Sequence, residues 1–579
     1  MGALLRPARA GSIGLSLFAA TSVFAQTAPV PPVAPPTREE VTPPAPSAPP
    51  AARVKVEGGI ERAPCPLDDP AYKDVKVTVT SAVFNNLKGV SPQELEPAYR
   101  AYLGQERPIS VVCDIRDAAA TVLRDKGYLA AVQVPTQKIE GGEVRFEVLY
   151  ARLVAVRVRG EAGGAERLIG SYLEPLTKQD VFNRNEAERY LLLVRDLPGY
   201  EVRLTLRPAG TGPGELVGDV TVVRTPYLID FNVQNLAAHD TGPWGGQLRA
   251  QFFGLTGLGD RTSIAFYSTA DFDEQQILQL AHDFRLGGEG LTLGGRFNYA
   301  WTRPDIDPLV PGGAKPNIVA HTLFANAEAS YPFVRTQAAN LRGAVGIDFV
   351  NQNVRFAGVP LNRDRLRVLY LRLDADATDP TIGAVPGWRL TGSVELRHGL
   401  DIFNASDRGI VAGRTPQSRA NGDAEGTLIR ATATGEVQLV PNLSFSLTPR
   451  AQIAFDPLLS FEQISGGNYT VGRGYDPGTI IGDSGLGFAA ELKVNQWAPF
   501  PGREIALQPF VFVDSAWVWT RNAPDGRNSL VSVGGGIRSS LFNRARLDMT
   551  LAVPTKTAGL QARRGDVRFL VSLTTKLLP

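Results

Sequence analysis

The chain has 579 residues, enough for several domains, and sets 60 lysines and arginines against 58 acidic residues. A net charge of +2 gives no case for nucleic-acid binding, which needs a clustered basic excess. A mean hydropathy of −0.07 suits a soluble protein, and equally a membrane barrel whose strands alternate lipid-facing apolar and lumen-facing polar residues.

Arg6 and Arg9 precede an apolar stretch from Ile13 to Phe24, and Ala25 is a small residue at a cleavage position. This pattern predicts a signal peptide over 1–25. No later apolar run reaches the ~20 residues a membrane helix needs. Residues 26–53 are rich in proline, as in Val30-Pro31-Pro32-Val33-Ala34-Pro35-Pro36, and predict an extended linker. The two cysteines, Cys65 and Cys113, belong to an exported chain, so a disulfide between them is expected. Closing that loop would stabilise a small domain by about 4 kcal/mol through loop-closure entropy.

Residues 54–150 read as one small α+β domain. Val75–Val83 reads as a strand, and Ser91 with Glu94 as a helix cap. Arg116–Lys126 reads as a helix ended by Gly127, followed by strands over Leu129–Val134 and Glu143–Leu149 around a Gly141-Gly142 turn. Residues 151–225 repeat the plan, with a strand over Leu153–Val158 and a helix over Arg184–Arg195. Strands over Tyr200–Arg207 and Leu216–Val223 close it. Two such units in tandem predict copies of one module.

From 226 to 579 the texture changes to segments of about ten residues with period-two alternation, separated by turn signals. Ser393-Val394-Glu395-Leu396-Arg397 shows it, as does Gln247-Leu248-Arg249-Ala250-Gln251-Phe252. About sixteen such segments follow one another, with no helices to cover their apolar face. That predicts a sixteen-stranded antiparallel transmembrane β-barrel with an aqueous lumen. Short links such as Phe542-Asn543 belong at one end and long loops such as 303–319 and 402–426 at the other.

Enzyme signals are weak. His239, His282, His321 and His398 are scattered and form no metal-ligand pair. No Gly-x-Ser-x-Gly elbow is present. Gly472-Arg473-Gly474-Tyr475-Asp476-Pro477-Gly478 has the wrong spacing for a nucleotide loop, and strands flank it. No enzyme activity, cofactor or metal is expected.

The loop from Ser460 to about Gly482 carries Val471-Gly472-Arg473-Gly474-Tyr475 between the eleventh and twelfth strands. Here the chain resembles the haemolysin secretion/activation family, the outer-membrane transporters of two-partner secretion. In that family the sixth outer loop folds back into the barrel. Its Arg-Gly-Tyr/Phe tip corresponds to Arg473, Gly474 and Tyr475, and the resemblance pairs the arginine with an aspartate on the thirteenth strand, here Asp514. Strand parity independently sets Glu504, Gln508 and Asp514 on one face, opposite Ile505, Leu507, Val511, Val513 and Trp517. Gly127-Tyr128, Pro135-Thr136-Gln137 and Gly141-Gly142 look like the family's first polypeptide-transport-associated (POTRA) domain. Leu191–Gly199 is similar to its second. The sequence departs from the family pattern at Gly472, where Val is more frequent, at Ala516, where Gly is, and in lacking a terminal aromatic.

The resemblance implies a mixed fold: two small α+β POTRA domains in the periplasm, then an outer-membrane barrel. Its implied partners are a secreted exoprotein with an N-terminal secretion domain, held by the POTRA domains, together with outer-membrane lipid and the barrel-assembly machinery that inserts it. No nucleic acid is among them. Some members plug the pore with an N-terminal helix; the proline content of 27–50 argues against one here. The alternatives are a barrel-assembly insertase and a passive porin. The first often carries more periplasmic modules, and the second needs none.

Overall fold

The structure is a computed structural model, and it describes residues 36–42, 64–65, 67, 69–306, 314–380, 386–409, 411–495, 497–499, 504–523, 526–542, 544–559 and 564–578. The expected signal peptide lies outside the described residues.

Sixteen strands close into one antiparallel barrel: 227–234, 245–253, 261–269, 275–286, 291–302, 318–335, 339–356, 359–378, 388–399, 427–440, 443–454, 484–494, 505–519, 527–541, 545–554 and 568–578. Each falls on a segment expected from alternation. The reason is the period: one face must meet lipid and the other the lumen, so every strand carries the same two-residue code. On the outside, Leu371 (strand 8) stands opposite Leu396 (strand 9), and Leu373 opposite Val394, all exposed. Inside, Asp348, Gln352, Asp364 and Arg397 are buried. Strands 1 and 16 close the ring, and the Asn232 amide donates to Ser572, Leu573 and Thr574 across that seam. No described helix is long and apolar enough to cross a membrane; the chain crosses with strands.

Two small α+β units precede the barrel and share one topology. In the first, strand 81–85 runs parallel to 143–150, which pairs antiparallel with 130–133. In the second, 152–160 runs parallel to 215–224, which pairs antiparallel with 200–208. The tandem plan expected from the sequence is therefore present in strand order and direction. The units meet at a short junction where Arg184 N–H donates to Gly127 O at 2.7 Å and Leu129 N–H to Phe182 O at 3.3 Å.

Four helices are named here: α1 (Arg38–Val41), α2 (Val111–Asp125), α3 (Glu166–Thr177) and α4 (Arg184–Arg195). Helix α4 has the expected bounds. Helix α2 starts five residues before the expected Arg116. Val111 and Val112 are β-branched and weak helix formers, yet with Cys113 they form the buried face of the first turn. Helix α3 was not among the expected elements; it contains Gly170 and Pro175, both poor helix formers, and is held by packing of the buried Leu168, Ile169, Tyr172, Leu173 and Leu176. The strand expected over 75–83 is two strands. The chain changes partner at Val79-Thr80, from 106–108 to 143–147.

The larger correction concerns the proline-rich stretch. Instead of an extended spacer throughout, residues 36–42 hold one helical turn, and that turn sits in the barrel lumen. Thr37 and Glu40 form a reciprocal capping box, which pairs the first orphan N–H groups and lets four residues turn directly after a proline run.

Cys65 and Cys113 are joined, with Cα atoms 5.9 Å apart, tying the start of the first domain to α2. Replacing Cys113 with Ser should cost the first domain about 2–4 kcal/mol. Hydrogen exchange of the full-length protein should report it as lost protection in α2, with the barrel strands unchanged.

Candidate functional site: a loop locked inside the lumen

The two ends of the barrel differ. The small domains attach at what is termed the near end; the far end carries the longer loops, 400–426 and 455–483 among them. Loop 455–483, the sixth at the far end, turns back into the lumen instead of projecting outward. Phe461, Ile464, Val471, Tyr475 and Ile480 are all buried there. A short ladder between 464–466 and 480–482 holds its two limbs together.

The structure brings Arg473 to Asp514, as the parity of strand 13 requires. The Arg473 Nε donates to Asp514 Oδ2 at 2.9 Å, Nη2 to Oδ1 at 2.7 Å, and the backbone N–H to Oδ2 at 2.9 Å. The Asp514 side chain is 1% exposed and that of Arg473 17%. A carboxylate this buried needs compensating donors, and a bidentate guanidinium plus an amide supplies three. Sequence reasoning missed the rest of the set. Nη1 of Arg473 donates to Glu491 on strand 12 at 2.6 Å, and Arg538 on strand 14 shares that oxygen at 2.8 Å. The Arg473 guanidinium lies 3.5 Å from the Phe512 ring centroid, and that of Arg538 4.0 Å from Phe510. All four partners share the lumen face with Asp514, so strand parity was the signal that would have found them.

Gly474 and Tyr475 complete the tip. The Gly474 N–H donates to Ser532 Oγ at 3.2 Å, and a Cβ there would stand 2.8 Å from Ser532 Cβ and 2.9 Å from Pro554 N, so only glycine fits. The Tyr475 hydroxyl, on a fully buried side chain, lies 2.8 Å from Val531 O and 2.6 Å from Lys556 O. Gly472, which departs from the more frequent Val, has φ of +122°, and a Cβ would meet Leu530 at 2.6 Å. Here glycine is a requirement of the loop's path. Farther on, Asp476 meets the His239 ring nitrogen at 2.9 Å and Arg568 at 2.7 Å. The return limb is tied by Asp483, which accepts from Arg419 at 2.5 Å and from the backbone of Arg521 at 2.7 Å.

The turn α1 lies beside this loop and is bonded to it. Arg38 Nη2 donates to Glu462 of the loop at 2.8 Å and to Asp348 of strand 7 at 3.1 Å. Arg397 of strand 9 bridges the same two carboxylates, at 2.7 Å to Asp348 and at 2.7 and 2.8 Å to Glu462. Glu39 pairs with Arg450 of strand 11 and accepts from Ser465 of the loop at 3.0 Å. Val41 is buried among Tyr267, Phe324, Leu366 and Phe461. Arg38 and Glu39 were absent from the sequence reading. Their signal was the Thr37-Arg38-Glu39-Glu40 capping pattern, which a compositional reading of the prolines hides.

Among the described residues no group of three or more His, Cys, Asp or Glu could hold a metal ion. His282 meets Thr262 and His398 meets Thr427, both side-chain to side-chain.

Residues 220–539, more than half of the chain, match the haemolysin secretion/activation protein family ShlB/FhaC/HecB, and residues 77–150 match the ShlB-type POTRA domain. The chain belongs to the haemolysin secretion/activation family. Among solved structures it is similar to CdiB from Escherichia coli, with a TM-score of 0.68 at 16% identity over 90% of this chain and 94% of that one. CdiB from Acinetobacter baumannii aligns at 0.59 and 18%, covering 90% and 91%. BamA from Haemophilus ducreyi lacking POTRA domains 1–3 aligns at 0.52 and 13%, covering 87% and 100%. At these identities the likeness is one of fold. Among curated proteins no sequence match to the chain is found. As a haemolysin secretion/activation protein the chain is an outer-membrane transporter of two-partner secretion, with a secreted exoprotein as partner. The family is one of transporters, not of enzymes.

Replacing Asp514 with Ala would leave the Arg473 guanidinium inside the lumen with Glu491 as its remaining carboxylate. Breaking such a pair costs about 3–5 kcal/mol. The account predicts a barrel that still migrates as folded before heating, with a larger and more frequent open conductance in planar bilayers.

Proposed function

We propose that Arg473 and Asp514 are the lock of a gate, with loop 455–483 as the movable part and α1 as a second occupant that the loop retains. The observation that carries this is the triple donation from Arg473 to one buried carboxylate at the loop's innermost point. An extended polypeptide needs the space this loop and α1 occupy. Export therefore requires both to shift, and a substrate that bonds their partners better in the shifted state drives the change. Because Glu462 and Ser465 of the loop hold Arg38 and Glu39, withdrawing the loop also unfastens α1.

The domain reading that accompanies this is 1–25 signal peptide, 26–53 linker, 54–150 first POTRA domain, 151–225 second POTRA domain and 226–579 barrel. The POTRA domains stand in the periplasm, lipid surrounds the barrel, and the cell's barrel-assembly machinery inserts it. The small domains receive an N-terminal secretion domain of the unfolded exoprotein by strand addition, which reads main chain and needs few particular side chains. The exoprotein's folding outside supplies the drive.

Two measurements test the proposal. Deleting the gene should remove one large exoprotein from the medium and leave other outer-membrane barrels unchanged. Broad loss of barrels would favour an insertase, and no change in either a passive porin. Arg473→Ala should leave the barrel folded and cut export at least tenfold; undiminished export would refute the lock.

A further inference from the structure

The sheet of the second POTRA domain has one face on its helices and one in water. Leu204, Leu206, Leu216, Val220 and Val222 are buried on the helical side. The register sets the other face in rows: Ala155, Val217 and Arg207; then Arg157, Asp219 and Thr205; then Arg159, Thr221 and Arg203. All four arginines are exposed. Asp219 stands among them, 3.6 Å from Arg159 and 3.5 Å from Arg207, and the exposed Glu201 lies on the same face two residues from Arg203. Among the described residues Arg157 and Arg203 have no ion-pair partner. The face thus holds more guanidinium than its own carboxylates neutralise.

Its direction narrows what it can meet. Helices α3 and α4 lie between this sheet and the barrel: Leu168 packs toward Gly259 and Leu193 toward Gly290, and Arg189 donates to Pro332 O at 3.0 Å. The arginine face therefore points away from the barrel and from the bilayer around it, out of reach of lipid headgroups. Strands 152–160 and 200–208 each leave one edge unpaired in the three-stranded sheet. A strand added to either edge sends every second side chain onto this face. Arg157 and Arg159 are two residues apart, the same period.

We propose that this face docks an extended polypeptide segment carrying Asp or Glu at alternate positions, added to the free edge of strand 152–160 with its carboxylates on Arg157 and Arg159. The proposal rests on the transporter reading and names the chemistry of the exported segment. Guanidinium forks match carboxylates in a fixed geometry, so the alternation is read as well as the charge.

The test uses the full-length protein in detergent and a synthetic sixteen-residue peptide in which Glu alternates with Thr. A peptide of equal composition with all Glu in one block is the control. The alternating peptide should bind more tightly than the block peptide. Arg157→Glu with Arg159→Glu should weaken it at least tenfold, as should raising salt from about 50 to 300 mM. A second variant, Arg157→Ala with Arg159→Ala, guards against local misfolding of the first, and both must retain protection in α3 and α4 and heat-modifiable migration. Unchanged binding in both variants would overturn the proposal. So would equal binding of the block peptide, which is charge attraction without a strand site, or capture of anionic-lipid vesicles in place of peptide. Export is scored separately. Variants that lose the peptide yet export at the wild-type rate overturn the docking face and leave the transporter reading standing; a deletion strain with unchanged medium defeats that reading whatever the peptide does.

Discussion

A guanidinium drawn out of water must be paired on most of its donors, and a carboxylate beside it must be paired in turn. The structure inside the barrel follows from that constraint at Arg473 and Asp514. Satisfying both groups needs the loop's backbone amide as well as its side chain, so the tip must approach the wall of strand 13 within hydrogen-bond distance. That approach leaves no room for a Cβ at Gly474, and it sets the backbone of Gly472 in a conformation that glycine tolerates. Tyr475 then falls against strand 14 and the segment just after strand 15, and is buried.

A second charge cluster repeats the logic. Arg397, 1% exposed, is neutralised by Asp348, Glu395 and Glu462, and Arg38 of α1 adds a second guanidinium to the group. Glu462 belongs to the loop and Asp348 to the wall. The cluster thus joins three parts of the chain that have no covalent reason to move together. Such buried polar networks, when satisfied, rigidify the parts they join. That rigidity is what the proposed gate needs in its resting position.

Much of this was legible in the residues, for stated reasons. Period-two alternation survives in each barrel strand because both faces are under constraint, so the sixteen strands and the lumen-facing side of Asp514 could be read without an alignment. Glycine and proline placed α4 and the turn at 141–142 correctly. Local rules failed where tertiary packing overrode them. Helix α3 contains Gly170 and Pro175, the first turn of α2 opens on the β-branched Val111 and Val112, and packing holds both; proline content outweighed the capping box at Thr37. Arg38 and Glu39 could not be assigned roles from sequence, because their partners lie on strands 7 and 11 and on the loop, some 300 or more residues away.

The central claim is that loop 455–483 must leave the wall for export to proceed. An ideal Cβ on Gly487 of strand 12 would stand 3.4 Å from Val471 Cβ of the loop, so cysteines at these two positions lie close to disulfide geometry. Export of the exoprotein should be measured in that double variant under oxidising and reducing conditions. The account predicts that export stops when the bridge is closed and resumes when it is reduced. Equal export in both states would show that the polypeptide crosses with the loop still in place, and would contradict the lock.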